Sequence, residues 1–89
     1  MKKTLAQAKR DFVVGKKVEV IENNFRPERV GLVGVIEKVQ TNAFAYRMGE
    51  KLFWHHWGNA DEMVYEDDVL QVLNKYDNYK VGYAYKLSN

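Results

Sequence analysis

Cysteine is absent from this chain of 89 residues, which excludes a disulfide framework and a thiolate metal site. Serine occurs once, at Ser88, next to the end of the chain. Neither a glycine-rich phosphate loop nor a hydrolase, deaminase or kinase motif is present. The sequence therefore predicts a protein that is not an enzyme and that carries no cofactor.

Long apolar runs are also lacking. The basic start, Met-Lys-Lys-Thr, is followed by polar residues where the apolar core of an export signal would have to lie. No segment approaches the length of a bilayer span. We therefore expect a cytoplasmic protein with no membrane partner.

What the chain does contain is the composition of a soluble globular protein, with 46% hydrophobic and 29% charged residues. Its length predicts a single domain over residues 1–89 with a small core. The net charge of +2 is unevenly placed, since the first 17 residues carry six cations and one acid. This basic end could guide an anionic partner such as nucleic acid, and the solvated face of a helix explains it equally well.

A short helix is predicted over residues 5–13. Thr4 and Gln7 have the spacing of a capping box, and Gly15 is a typical stop. Leu5, Ala8 and Phe12 recur at helical spacing. Because so short a helix is marginal alone, we expect this apolar stripe to dock on the rest of the domain.

Two strand-like runs follow within residues 16–39, joined by a polar loop over residues 23–29 that contains Pro27. Next, residues 43–48 and 51–57 flank Gly49-Glu50, which predicts a two-residue hairpin. That hairpin fixes a register. The expected partners are Met48 with Lys51, Arg47 with Leu52, Tyr46 with Phe53, Ala45 with Trp54, Phe44 with His55, and Ala43 with His56.

The two faces of this hairpin differ in composition. One carries the aromatic bulk expected of a core: Phe44, Tyr46, Met48, Phe53, His55 and Trp57. The other sets small alanines beside Trp54 and His56, so either a ligand or another segment of the chain covers it. Further on, residues 65–68 predict a tight acidic turn before a strand over residues 69–73. Tyrosines of one parity predict an added edge strand over residues 76–87.

The run Gly15-Lys-Lys-Val-Glu-Val, the later run Val-Gly-Leu-Val-Gly-Val-Ile-Glu-Lys-Val39, and Glu66-Asp-Asp-Val-Leu-Gln-Val72 resemble the SH3-like small barrels of KOW and Tudor type. The resemblance covers residues 15–73. It implies a mainly β fold, a barrel of five to six antiparallel strands over residues 16–73 with a short N-terminal helix. Such barrels commonly bind RNA, DNA or protein, so it also implies a binding role.

Nucleic-acid binding requires cations for phosphates and flat side chains for bases. The predicted ligand-binding residues are Arg47, Trp54 and His56 on the hairpin and Phe25, Arg26 and Arg29 on the loop. A small protein–protein interaction module, or an inhibitor of a larger protein, is the alternative, because aromatic and arginine anchors suit that role equally. Two structural alternatives stay open: Phe25 could cap the mouth of the barrel, and the helix or the tail could cover Trp54.

His55 and His56, with Asp61 and Glu62 nearby, are the only metal-like cluster. Neighbouring residues of a strand point to opposite faces, so the two histidines are not expected to share an ion. We therefore predict no metal site. His55 is expected near the core with a hydrogen-bond partner, and His56 on the other face.

Overall fold

The computed structural model describes residues 3–58 and 62–88. In this part of the chain the fold is mainly β, with the helix α1 (Leu5–Asp11) followed by seven antiparallel strands. The strands are β1 (Lys17–Asn23), β2 (Val33–Val39), β3 (Ala43–Met48), β4 (Lys51–His56), β5 (Met63–Glu66), β6 (Val69–Asn74) and β7 (Lys80–Ser88). Within the described residues, no helix has the length and apolar character needed to cross a bilayer.

The capping box at the start of α1 is confirmed. The Gln7 amide donates to the Thr4 hydroxyl, and the Thr4 amide donates to the Gln7 side chain at 2.7 Å. The helix ends at Asp11, two residues earlier than predicted, because Phe12 leaves helical geometry at the C-cap. The stripe docks as expected: Ala8 and Phe12 are buried in the core.

The hairpin of β3 and β4 has the predicted register at all six pairs. Gly49, in the turn, has φ of +61°, a backbone conformation that glycine adopts without strain. The predicted core face is confirmed for Phe44, Tyr46 and His55, which are buried. Phe53 is only partly buried, although it packs against the core.

The strands form one sheet in the order β4-β3-β2-β1-β7-β6-β5. Seven strands are present where five to six were predicted. In the described residues the edge strands β4 and β5 do not pair with each other, so the sheet is open and not a closed barrel. The C-terminal strand, expected at an edge, instead lies between β1 and β6, because its backbone pairs with both.

The acidic segment also differs from the prediction. Tyr65 and Glu66 belong to β5, and the turn is confined to Asp67 and Asp68. Both aspartates have left-handed φ, of +53° and +64°, which matches the right-handed twist of the two strands that they join. Residues 63–74 therefore form a hairpin.

The open sheet curls tightly around its core. Three strands separate β4 from β7, which would hold them about 19 Å apart in a flat sheet. Yet the His55 ring lies 4.9 Å from Tyr83 and 4.4 Å from Tyr85 between centroids. The curl brings β4 across from β7 and buries a single core of large side chains. Its largest members are Phe12, Ile36, Phe44, Tyr46, Trp57, Tyr65, Leu70 and Tyr85.

Candidate ligand-binding cavity

A cavity of about 380 Å³ lies where the curled sheet meets the loop between β1 and β2. Five of the six predicted binding residues line it, although the sequence placed them on two separate segments. We call it the arginine–aromatic cavity. Its lining comprises Asn23, Phe25, Arg26, Arg29, Trp54, His55, His56, Gly58, Val72, Tyr83 and Tyr85.

The loop that carries Phe25 and Arg26 has a fixed backbone. The buried Asn23 side chain accepts from the amides of Phe25 at 3.1 Å and Arg26 at 2.8 Å. The Asn24 amide donates to the carbonyl of Gly82 at 3.0 Å, and the Asn24 side chain donates to the carbonyl of Val81. This Asx turn satisfies the amides of the loop and anchors it to β7, so the side chains are presented from a rigid frame.

Two aromatic rings offer accessible faces at the cavity. Phe25 is 60% exposed and stacks on Tyr83, with ring centroids 5.3 Å apart and planes 25° apart. Trp54 is 47% exposed, so about half of its surface is accessible to a ligand. Phe25 packs on the sheet through Tyr83 and keeps much of its surface available for contact.

Two guanidinium groups stand beside these rings. Arg29 lies over the ring of Phe53 at 4.1 Å, a cation–π contact that covers part of this half-buried ring. Among the described residues neither Arg26 nor Arg29 forms an ion pair with a carboxylate. Their positive charges are therefore available to an anionic ligand.

Arg47 is the predicted residue that the structure does not bring to this cavity. Its Nε donates to Oε2 of Glu37 at 2.7 Å, across the β2–β3 pair. Arg47 was predicted to bind together with Trp54 because both lie on the hairpin, where Arg47 pairs with Leu52 and Trp54 with Ala45. The carboxylate of Glu37 compensates its charge, which makes it a weak candidate for binding phosphate.

His55 forms part of the cavity wall, and its electrostatic state is unusual. Burial, with a smaller contribution from the charge of His56, lowers the pKa of His55 to about 3, so the ring is neutral near pH 7. Its Nε2 is buried and has no hydrogen-bond partner among residues 3–58 and 62–88, so the expected partner is not found at this atom. His56, which was predicted on the other face of the strand, is exposed.

Tyr85 lies behind His55 in the same wall. Burial, followed by the proximity and hydrogen bond of Tyr46, raises the pKa of the Tyr85 phenol well above its usual range. Arg29 acts in the opposite direction, which places its guanidinium within electrostatic reach of this hydroxyl. The phenol stays protonated, so the wall of the cavity presents neutral polar groups behind a cationic rim.

A second cavity, of about 460 Å³, adjoins the first, since His56 and Gly58 line both. It contributes one more cation, Lys9 of α1, together with Thr41 and Asn42. No described residue that lines either cavity is acidic. A further cavity carries charges of both signs, since Asp11 and Asp68 line it together with Arg10 and Lys16. The two adjoining cavities form a cationic track.

No group of three or more potential metal-ligating side chains occurs among residues 3–58 and 62–88. Asp61, one of the acids considered beside the histidines, lies outside the described residues. Comparison with protein-family models, with curated proteins and with solved structures finds no match to this chain. The assignment of the candidate site therefore rests on the geometry of the cavity alone.

Sequence reasoning did not identify Tyr83 or the unpaired His55 Nε2 as parts of the site. The shared parity of Tyr83 and Tyr85 predicted that both lie on one face of a strand. That this face lies across from β4 follows from the curl of the sheet, for which the sequence carries no local signal.

Proposed function

We propose that this protein is a non-enzymatic binding module for single-stranded nucleic acid, which it contacts at the arginine–aromatic cavity. The observation that carries the proposal is that one cavity brings together two exposed rings and two arginines that form no ion pair with a carboxylate of the described residues. Single strands are recognised in this way, by cations along the backbone and by aromatic side chains that stack on bases.

The adjoining cavity supports a ligand longer than one nucleotide. Arg26 and Arg29 line the first cavity and Lys9 lines the second, while His56 and Gly58 line both. A chain laid across both cavities would meet cations in each of them and His56 where they adjoin. A double helix would not suit this surface, because its bases are stacked inside and unavailable to the rings.

The fold supports the same reading at a coarser level. We infer that the curled sheet is a variant of the SH3-like barrel in which the edge strands β4 and β5, as far as the described residues go, stay unpaired with each other. Barrels of KOW and Tudor type commonly bind RNA, DNA or protein, so the resemblance is compatible with the proposed ligand. It does not distinguish nucleic acid from a partner protein.

Binding of labelled ten-nucleotide DNA and RNA strands, followed by fluorescence anisotropy at several salt concentrations, tests the proposal. Two or three phosphate contacts predict a slope of log affinity against log salt of about −1.4 to −2. Affinity would then fall about 7- to 20-fold between 50 and 200 mM salt. Trp54→Ala should weaken binding by about 1–3 kcal/mol through loss of base stacking.

The structure supplies a matched control for the arginines. Arg26→Ala combined with Arg29→Ala should reduce the salt slope, whereas Arg47→Ala should leave it unchanged because Glu37 already compensates that charge. Equal effects of the two variants would place the phosphates elsewhere. Absence of salt-dependent binding to any strand would reject the nucleic-acid proposal and favour the protein-binding alternative.

A further inference from the structure

The buried Nε2 atom of His55 has a consequence for ligand recognition. A buried polar atom without a hydrogen bond destabilises the fold by about 1–3 kcal/mol, so such atoms are uncommon unless a ligand or water completes them. His55 is 4% exposed, lines the arginine–aromatic cavity, and has no hydrogen-bond partner at Nε2 in the part of the chain that the structure describes. The cavity therefore contains an unused hydrogen-bonding group in its wall.

Aromatic rings pack against the His55 side chain. The His55 ring contacts Tyr83 edge-on at 4.9 Å and Tyr85 at 4.4 Å between centroids, and Phe25 in turn stacks on Tyr83 at 5.3 Å. Because Nε2 is buried, a ligand can reach it only if a neighbouring side chain moves. Tyr85 is almost fully buried and hydrogen-bonded to Tyr46, which leaves it little freedom.

Phe25 is the ring best able to move. It is 60% exposed, against 47% for Trp54, and its backbone is fixed by Asn23 while its side chain makes one ring stack, with Tyr83. A methyl group at Gly82 would lie 3.6 Å from the Phe25 ring, which is ordinary van der Waals contact, so the ring packs over Gly82. Rotation of the Phe25 side chain alone would expose the face of Tyr83 on which it stacks, without disturbing the sheet.

We propose that the arginine–aromatic cavity admits one unpaired nucleobase, that Phe25 rotates to admit it and then stacks on it, and that His55 Nε2 forms a hydrogen bond with an edge of that base. This inference rests on the proposed function and specifies how the site reads its ligand. The volume of about 380 Å³ lies at the small end of ligand cavities, which suits one nucleotide. A neutral imidazole offers a donor or an acceptor at Nε2 according to its tautomer, so it can discriminate between bases.

The test compares the affinities of homopolymeric oligonucleotides of the four bases for the wild-type protein and for His55→Phe. The substitution keeps a ring of similar shape and removes a buried unpaired atom, so we expect the fold to persist, as circular dichroism would verify. The preferred base should lose its advantage, with a fall of about 3- to 10-fold for one hydrogen bond, while the salt slope stays unchanged.

A second measurement uses the unmodified protein. In nitrogen-15 NMR spectra of the histidine rings, the Nε2 resonance of His55 should shift when the preferred oligonucleotide is added and stay in place with inorganic polyphosphate. Polyphosphate offers charge to Arg26 and Arg29 without a base. The exposed His56 lines the same cavity and can shift with either ligand, so the comparison uses the resonance of His55 alone, with buffer addition as the reference.

The outcomes separate this inference from the proposed function. If no oligonucleotide binds with salt dependence, both are wrong. If oligonucleotides bind but all four bases bind equally, or if discrimination survives in His55→Phe with an unshifted His55 resonance, the proposed function stands and the role of His55 is wrong.

Discussion

Two aromatic regions of this protein meet at Phe44 and differ in what covers them. The first, the helix-covered cluster, consists of Phe12, Phe44, Trp57 and Tyr65, in which Phe12 contacts the other three rings within 5.9 Å. The second is the arginine–aromatic cavity. Both contain aromatic side chains. The rings of the first are buried by the rest of the chain, whereas the second keeps exposed rings.

The polar atoms show the difference most clearly. In the helix-covered cluster, the indole of Trp57 donates to the carbonyl of Gln40 at 3.1 Å, and the hydroxyl of Tyr65 donates to Asp11 at 2.6 Å. In the arginine–aromatic cavity, His55 Nε2 has no hydrogen-bond partner among the described residues. Where every polar atom of an aromatic cluster is satisfied, the cluster stabilises the fold, and where one is left unpaired beside exposed rings, a ligand is expected.

The largest expected contrast is between the same substitution in the two regions. Phe12→Ala should reduce the free energy of unfolding by about 3–5 kcal/mol, because it leaves a cavity among three rings. Phe25→Ala should cost under about 1 kcal/mol, since its ring is 60% exposed. Urea denaturation measures both. Equal losses would mean that Phe25 is a structural cap and not a ligand contact.

The pH dependence of stability should isolate His55. Its folded pKa of about 3 lies below the unfolded value of 6.5, so the unfolded chain binds a proton first as the pH falls. The contribution of His55 to the free energy of unfolding is complete above pH 6.5. Below that pH it is lost at up to about 1.4 kcal/mol per pH unit. Between pH 6.5 and 4 the wild type should lose about 3 kcal/mol more than His55→Phe. Parallel profiles for the two proteins would show that His55 titrates normally in the folded state.

Removing one hydroxyl from each region gives a smaller contrast. Tyr65→Phe loses the charge-assisted hydrogen bond to Asp11 and should cost about 1.5–3 kcal/mol in the free energy of unfolding. Tyr83→Phe keeps the ring stacked against Phe25 and should cost under about 1 kcal/mol. A larger loss for Tyr83→Phe than for Tyr65→Phe would reverse the assignment of structural and binding roles.

The fluorescence of the two tryptophans compares the two regions by their exposure to solvent and not by a change in the free energy of unfolding. Trp54→Phe leaves Trp57, which is 1% exposed, so its fluorescence should be blue-shifted and resist quenching by acrylamide. Trp57→Phe leaves Trp54, whose emission should be red-shifted and readily quenched. Addition of the oligonucleotide should then protect Trp54 alone. Strong quenching of Trp57 would indicate that the helix-covered cluster opens in solution.

Much of the local structure could be predicted from the sequence by itself. The capping box of Thr4 and Gln7 and the six-pair register of the β3–β4 hairpin depend on residues close together in the chain. Each is specified by a side-chain oxygen near a free amide, or by a glycine in a two-residue turn. The alternation of side chains along β4 also separated the buried His55 from the exposed Trp54 and His56.

Only the tertiary structure decided how these pieces meet. Hydrophobic alternation specifies which face of a strand is buried and not which strand lies beside it, so the insertion of β7 between β1 and β6 was missed. The curl of the sheet joined Phe25, Arg26 and Arg29 to Trp54 and His56 and brought His55 against β7. Arg47 was separated from them because Glu37, ten residues away in the chain, faces it across two paired strands. Long-range pairing and curvature result from the packing of the whole core, which no local segment of the sequence encodes.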